Sequence, residues 1–301
     1  STVESLLRDA DIAMYEAKRS GRGRYVMFEP AMHKRVRDDV SLENDLRQAL
    51  PNQELFLVYQ PLVNLGDGRL TGMEALIRWR QPQRGMVSPV AFIPVAEACG
   101  LIGQIGRFVL QRACAEFAAL RECMGPLAPP SVSVNLSRAQ LGEAALVADI
   151  QQVLRANGME AAQLQLEITE SLAAQDNQVQ AKLREIKALG VTLALDDFVT
   201  GYSSLSCLHE LPIDTVKIDR AFVGVAQHSA YHRVLIEATI LMAETLGMST
   251  VAEGIETQEQ AELMQSLRCG KGQGYLFGKP VTSGELRGWI EARADLEYGK
   301  T

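Results

Sequence analysis

Apolar residues at the start of the chain recur on a helical repeat. Leu6, Leu7, Ala10, Ala13, Met14 and Ala17 share one face, which predicts an amphipathic helix over residues 1–20 that stops at Gly21. Arg24 to Phe28 reads as a short apolar strand. Residues 30–50 read as a charged helix with apolar teeth at Val36, Val40, Leu42, Leu46 and Leu50, ended by Pro51. Polar residues on most of its faces suit a linker between domains better than a core element.

From residue 54 the pattern changes. Short runs rich in β-branched residues alternate with longer stretches of 3.6-residue periodicity. The predicted strands are 55–59, 70–77, 131–136, 164–168, 192–195, 215–218, 249–252 and 274–277. The helical stretches include 92–120, 143–157, 178–189, 232–246 and 257–267. Such alternation predicts a parallel α/β protein, closed as a TIM-like (β/α)8 barrel. A doubly wound open sheet is the second choice, and no G-x-G-x-x-G follows the first strand to support it. The short 64–69 stretch with its Gly-Asp-Gly turn reads as a hairpin, so the barrel is expected to begin with an antiparallel strand.

Composition narrows the classes. The chain has 301 residues, 47% apolar and 22% charged, which excludes a mostly disordered protein. Its net charge of −7 argues against a broad basic surface for a nucleic-acid duplex, though a local pocket for a small anion is compatible with it. Five cysteines with no C-x-x-C fit neither a disulfide framework nor a structural zinc site and suit a reducing cytoplasm. No apolar run reaches the roughly 20 residues of a membrane helix, so no direct membrane insertion is expected. The chain opens inside a helix without a signal-peptide pattern and reads as a fragment, whose parent could be membrane-anchored.

The predicted strand ends carry the candidate chemistry. They place Glu74 and Arg78 on the second strand, Asn135 on the third and Glu167 on the fourth, with Glu170 just beyond. Asp196 and Asp197 end the fifth, Lys217 and Asp219 lie on the sixth, Glu253 on the seventh with Glu256 in the next turn, and Gln273 opens the eighth. Residues at the C-terminal ends of barrel strands converge on one mouth. Carboxylates and an amide oxygen are hard ligands that suit Mg²⁺ or Mn²⁺. Two such ions about 4 Å apart are the usual tool for phosphoester hydrolysis. Lys217 and Arg78 would meet phosphate oxygens or orient water, and Glu253 would be the general base. A salt bridge from Lys217 to Asp219 or another acid is the plainer alternative. Other groupings are weaker. His228 and His232 lack H-E-x-x-H, His209 and Cys207 lack a third partner, Ser203 and Ser204 lack the nucleophile elbow, and Met242 and Met264 read as core fillers.

At these residues the sequence resembles the EAL domain, the cyclic-di-GMP phosphodiesterase family of bacterial signalling. Glu74-Ala75-Leu76 stands within M-E-A-L-I-R-W; Y-Q-P lies at 59–61, V-N-L-S at 134–137, E-I-T-E at 167–170 and L-D-D-F at 195–198. T-G-Y-S-S-L at 200–205, V-K-I-D at 216–219, A-E-G-I-E at 252–256 and Q-G-Y-L-F-G-K-P at 273–280 complete the series. The resemblance implies that Glu74, Asn135, Glu167 and Asp196 hold one ion, and Asp196 and Asp197 a second. It implies that Lys217, Glu253 and Gln273 hold and activate water, with Glu74 also counted as catalytic. Gln60, Leu76, Arg78, Asn135 and Asp219 correspond to substrate contacts, and Glu170 and Glu256 to supporting acids. The implied reaction opens cyclic-di-GMP to linear pGpG with two Mg²⁺ or Mn²⁺ ions, inhibited by Ca²⁺, in a bacterial cytoplasmic homodimer.

Residues 1–29 resemble the end of a GGDEF domain, with A-D-I-A-M-Y-E-A-K at 10–18 followed by G-R-G-R-Y. The expected organisation is therefore a GGDEF remnant at 1–29 whose strand has lost its sheet, a linker helix at 30–50 and an EAL domain at 51–298. Two departures stand out. Val199 replaces the family's usual glycine, which would be strained at positive φ and could weaken the second metal. Gly270 replaces an aspartate, removing a charge expected near the mouth and leaving a flexible C-G-K-G stretch. The competing readings are a non-catalytic cyclic-di-GMP receptor signalling through the linker helix, and a barrel phosphohydrolase for another substrate.

Overall fold

The computed structural model describes residues 2–19, 25–169, 177–198 and 211–298. The chain divides into two compact units, one of residues 1–56 with 78–105 and one of residues 57–77 with 106–301.

The larger unit is built on a closed barrel. The barrel strands are β1 (Leu55–Asn64), β2 (Leu70–Gln81), β4 (Val132–Asn135), β5 (Leu164–Thr169), β6 (Thr192–Phe198), β7 (Thr215–Ile218), β8 (Ser249–Ala252) and β9 (Lys271–Gly272), while β3 (Gly85–Val87) and the part of β2 from Arg78 onward belong to the smaller unit. Neighbours run β1-β9-β8-β7-β6-β5-β4-β2, and pairing of β1 with β2 closes the ring, which rules out the open doubly wound sheet. Parallel pairing runs from β2 through β9, while β1 pairs antiparallel with β9. The hairpin between β1 and β2 is tied where Asn64 N–H donates to Arg69 O at 2.8 Å. The expected antiparallel first strand is present.

Strand alternation explains the layers. In β7, Val216 and Ile218 are fully buried, and Ile218 packs with Ile236, Ile240, Ala261 and Met264 of the surrounding helices. Those helices start where side chains cap them. Ser229 Oγ accepts from His232 N–H at the start of Ala230–Thr245. Thr257 and Gln260 form a capping box before Gln258–Ser266. Met264 is the expected core filler, whereas Met242 is half-buried. His232 bonds Ser229 and contacts the rings of Phe222 and Tyr231, in line with a structural role.

In the smaller unit, the helices α1 (Val3–Arg19) and α2 (Pro30–Ala49) follow one another, and α2 packs against α3 (Pro89–Ala98). Leu42, Leu46 and Ala49 of α2 are buried, as are Phe92, Val95 and Ala96 of α3. A helix is thus present where a linker helix is expected, and it is a packing element. Its C-terminal half is held further by Arg84, which donates to Asp45 Oδ2 at 2.9 Å and Ser41 Oγ at 2.6 Å.

Several elements depart from what the sequence pattern predicts. Residues 25–28 form no strand, and Arg24 lies outside the described residues. Phe28 instead sets its ring against His33 at 5.2 Å. The single helix expected over 92–120 is two, α3 and α4 (Ile102–Met124), because Gly100 at φ 74° ends the first. The 143–157 stretch holds only one longer helix, Leu146–Ala156, behind the short Arg138–Leu141. The last barrel strand is Lys271–Gly272, not 274–277. There the chain turns instead, with Phe277 N–H donating to Gly274 O and Leu276 N–H to Ile255 O. Gly274 passes so close to Ile255 that a Cβ would lie 2.0 Å from its carbonyl oxygen.

Candidate active site

The inward side chains near the C-terminal ends of the parallel strands form one buried cluster. Lys217 is its centre, 1% exposed. Its Nζ lies 2.6 Å from Glu167 Oε2, 2.7 Å from Glu253 Oε1, 3.4 Å from Asp196 Oδ1 and 3.5 Å from Glu74 Oε2. Four strands besides its own therefore converge on one ammonium, which is how a barrel brings residues distant in sequence together. Glu74 is held further by Asn135 Nδ2, which donates to Oε1 at 3.0 Å, and by Gln273 Nε2, which donates to Oε2 at 2.7 Å. Gln273 Nε2 also reaches Gln60 Oε1 at 3.1 Å, and Gln60 Nε2 donates to Gly278 O. Gln273 thus follows the last strand rather than opening it, and this end position puts its amide in the mouth. The salt bridge considered for Lys217 is real, though not with Asp219.

Asp196 and Asp197 show how local backbone can bend a strand rule. Adjacent strand residues normally point to opposite faces. Here β6 carries one extra residue against β7 between Leu195 and Phe198, and Asp197 sits at φ 54°. A bulge with a left-handed residue lets both carboxylates approach one place. Asp196, Asp197 and Glu253 each bring an oxygen to a group whose atoms all lie within 4.8 Å of one another. Asp219 stands beside Asp197, capping the helix Arg220–Val225 by accepting from Ala221 N–H at 2.9 Å.

Burial and mutual repulsion set the electrostatics. Burial and the ionic charge of Glu74 push the Glu167 carboxyl well above its usual range, against the pull of Lys217. Burial also raises Glu253, to about 8, with Lys217 opposing and Asp196 and Glu74 adding to the rise. Burial, then Asp196 and Asp219, raise Asp197. For Glu74 burial acts upward too, but Lys217, Gln273 and Asn135 outweigh it and its proton affinity falls. Burial disfavours the Lys217 ammonium, yet Glu167, Glu253, Glu74 and Asp196 outweigh that and keep it firmly charged.

Four carboxylates face this one ammonium, so the site invites further positive charge. Two buried oxygens, Glu167 Oε1 and Asp196 Oδ1, accept no hydrogen bond, and neither does Gln273 Oε1. Buried oxygens without hydrogen bonds are costly unless something else meets them, and Asp196 Oδ1 has only the Lys217 ammonium at 3.4 Å. An all-oxygen donor set of this kind suits hard divalent cations, and the residues present fit them.

Below this cluster lies a second polar layer that sequence reasoning missed. Ser133 Oγ donates to Gln165 Oε1 at 3.1 Å, and Gln165 Nε2 donates to Thr215 Oγ1 at 3.0 Å. Thr215 in turn bonds Ser249 Oγ at 2.9 Å. The signal was available: Ser133, Gln165 and Thr215 stand two residues before Asn135, Glu167 and Lys217, hence on the same face.

The remaining expected site residues stand outside this hydrogen-bonded cluster or outside the described residues. Leu76 and Arg78 share the parity of Glu74 on β2, but Arg78 belongs to the smaller unit. Glu256 is exposed in the turn after β8, with its backbone N–H held by Gln260. Gly270 is neither loose nor at the mouth. It enters β9 from the opposite end, accepting from Leu65 N–H at 3.1 Å and donating to Thr250 Oγ1 at 3.2 Å. Glu170, Val199, Ser203, Ser204, Cys207 and His209 lie outside the described residues.

Residues 43–280 match the family described as the EAL domain. The bifunctional diguanylate cyclase/cyclic di-GMP phosphodiesterase MucR of Pseudomonas aeruginosa is 40% identical over 286 residues, 95% of this chain and 42% of that protein. The cyclic di-GMP phosphodiesterase NbdA of the same organism is 38% identical over 290 residues, 96% of this chain and 37% of that protein. A solved structure of the PaMucR phosphodiesterase in complex with c-di-GMP superposes with a TM-score of 0.77 at 40% identity, covering 82% of this chain and 99% of that one. The chain spans less than half the length of the two curated relatives.

Proposed function

The chain belongs to the EAL domain family, and on that premise we propose that it hydrolyses one phosphodiester bond of cyclic-di-GMP to give linear pGpG. The observation that carries this reading is the buried carboxylate cluster around Lys217, with Glu167 Oε1 and Asp196 Oδ1 lacking hydrogen-bond partners. Phosphodiesterase relatives and the c-di-GMP complex support the substrate.

In this reading Glu74, Asn135, Glu167 and Asp196 hold one Mg²⁺ or Mn²⁺ ion, and Asp196 with Asp197 a second. When bound, such ions supply Lewis acidity toward water and phosphate oxygens. The chain's own residues do the rest. Glu253 accepts a proton from water at a carboxylate oxygen. Lys217, 2.7 Å away, favours the ionised form from which Glu253 acts and gives the water's oxygen a fixed positive neighbour. Gln273 offers its unpartnered Oε1 as an acceptor while its amide nitrogen steadies Glu74. Gln60, Leu76, Arg78 and Asp219 are the proposed substrate contacts, with Glu170 and Glu256 as supporting acids.

The same reading makes residues 1–29 the end of a GGDEF domain and 30–50 a linker ahead of an EAL domain at 51–298. Support comes from alignment with MucR, whose name includes a cyclase, over 95% of this chain. A cytoplasmic homodimer is proposed on the family resemblance, and no helix among the described residues is long and apolar enough to cross a membrane. Purified protein incubated with cyclic-di-GMP and Mg²⁺ or Mn²⁺, followed by chromatography, tests the proposal. Metal-dependent pGpG that disappears in Glu74→Ala and with Ca²⁺ alone is expected. Binding of the dinucleotide without product would favour the receptor instead. A gain in Val199→Gly would assign a cost to that position.

A further inference from the structure

The opposite end of the barrel holds a cleft of about 310 Å³ that the hydrolytic reading leaves unused. It opens where β2 and β4 begin, while Glu74 and Asn135 stand further along those strands. Leu70, Leu127, Trp289 and Ile290 form its apolar walls, and Arg69 and Arg293 line it with two guanidinium groups. Two cations on one small cleft are unexpected in a chain of net charge −7.

Both arginines keep donors in reserve. Trp289 is anchored at its edge, where Nε1–H donates to Phe277 O at 3.2 Å. Arg293, one helical turn on, lies over that ring at 5.2 Å and donates to Gly68 O at 2.7 Å. Gly68 has φ 73°, and a Cβ there would lie 3.0 Å from the guanidinium, so the glycine leaves Arg293 its place. One hydrogen bond and one ring contact fix the group and use only part of its five N–H donors. Arg69 is more exposed. Its nearest acid, Asp67, stands at 3.6 Å, beyond a good hydrogen bond. The other Asp67 oxygen accepts the Arg69 backbone N–H at 3.0 Å.

Planar guanidinium forks match phosphate and carboxylate oxygens. Apolar walls beside a few oriented polar groups are the usual make-up of a small-molecule site. We propose that this cleft binds a small organic anion with a phosphate or carboxylate head and a flat apolar body, remote from the hydrolytic site.

Titration calorimetry with phenyl phosphate, benzoate and inorganic phosphate tests this in EDTA, which keeps divalent ions from the carboxylate cluster. Tryptophan fluorescence supplies a second readout near Trp289. Saturable binding of at least one aromatic anion is expected, about tenfold tighter than inorganic phosphate and about tenfold weaker in Arg293→Gln. Arg69→Gln should weaken it less, and Arg293→Lys should fall between. The ratio of the two aromatic anions identifies the preferred head group. Thermal melts confirm that the variants fold, and their hydrolytic activity should match wild type. Absence of saturation by either aromatic anion, affinity unchanged in both glutamine variants, or inorganic phosphate binding as tightly as phenyl phosphate would each overturn the proposal.

Discussion

Two polar layers fill the barrel, one above the other, and they obey opposite rules. The lower one, Ser133, Gln165, Thr215 and Ser249, is neutral, and its members bond one another in a chain. The upper one crowds Glu74, Glu167, Asp196 and Glu253 around Lys217 and leaves buried oxygens without hydrogen bonds. A satisfied layer adds rigidity and asks for nothing else. An unsatisfied one persists only because the surrounding fold is stable enough to hold it, and it is disposed toward a ligand.

The sharpest way to break this contrast is Lys217→Met. It removes the one ammonium from among buried carboxylates, which should cost about 3–5 kcal/mol of stability. Urea denaturation without divalent ions measures that loss, and added Mg²⁺ or Mn²⁺ should restore part of it. Hydrolysis should fail as well.

Glu253→Gln comes next, with an expected loss in kcat of about 10²- to 10⁴-fold. It also carries a pH signature. The folded carboxyl lies near 8 against an ordinary 4.5, so between those values the folded state binds the proton more tightly than the unfolded one. The stability this contributes is fully present below about 4.5 and is lost as pH rises through about 8. Denaturation of metal-free protein at pH 5, 6.5 and 8 should show that decline in wild type. If Glu253→Gln declines just as steeply, Glu253 is not its source.

Thr215→Val tests the lower layer. It leaves Gln165 Nε2 short of a partner and Ser249 Oγ with only Asp214 O at 3.4 Å, and should cost about 1–2 kcal/mol. Metal-dependent hydrolysis should hardly change, and a large loss would erase the distinction between the layers. Smallest of all, Glu256→Ala should shift stability by less than about 0.5 kcal/mol. It is an acid near the mouth that is exposed in the structure, so a strong effect on kcat would extend the upper layer to that turn.

The legible parts were those set by local periodicity. β7 and β8 fall where alternating β-branched residues place them, and the Gly-Asp-Gly turn marks the antiparallel start. The convergence of Glu74, Glu167, Lys217 and Glu253 was legible because strand ends in a barrel share one mouth. The error at 274–277 had a physical origin. Tyr275, Leu276 and Phe277 look like a strand by composition, whereas the close passage of Gly274 over Ile255 forces a turn. The left-handed backbone of Asp197 was not legible, because no short-range pattern marks an aspartate for positive φ. The sequence pattern points instead to Val199, two residues later and outside the described residues.

That extra residue in β6 also works as a frameshift in the strand's inside-outside code. In an uninterrupted strand Phe198 would share the phase of Asp196 and face the mouth. After the insertion it pairs with Ile218, whose side chain belongs to the apolar layer outside the barrel, and it is fully buried. Deleting Asp197 would therefore take away the spacer together with its carboxylate and still leave Phe198 out of phase with Asp196, in register with Ile218. Keeping the residue but straightening the strand would instead turn a phenylalanine ring into the charged mouth.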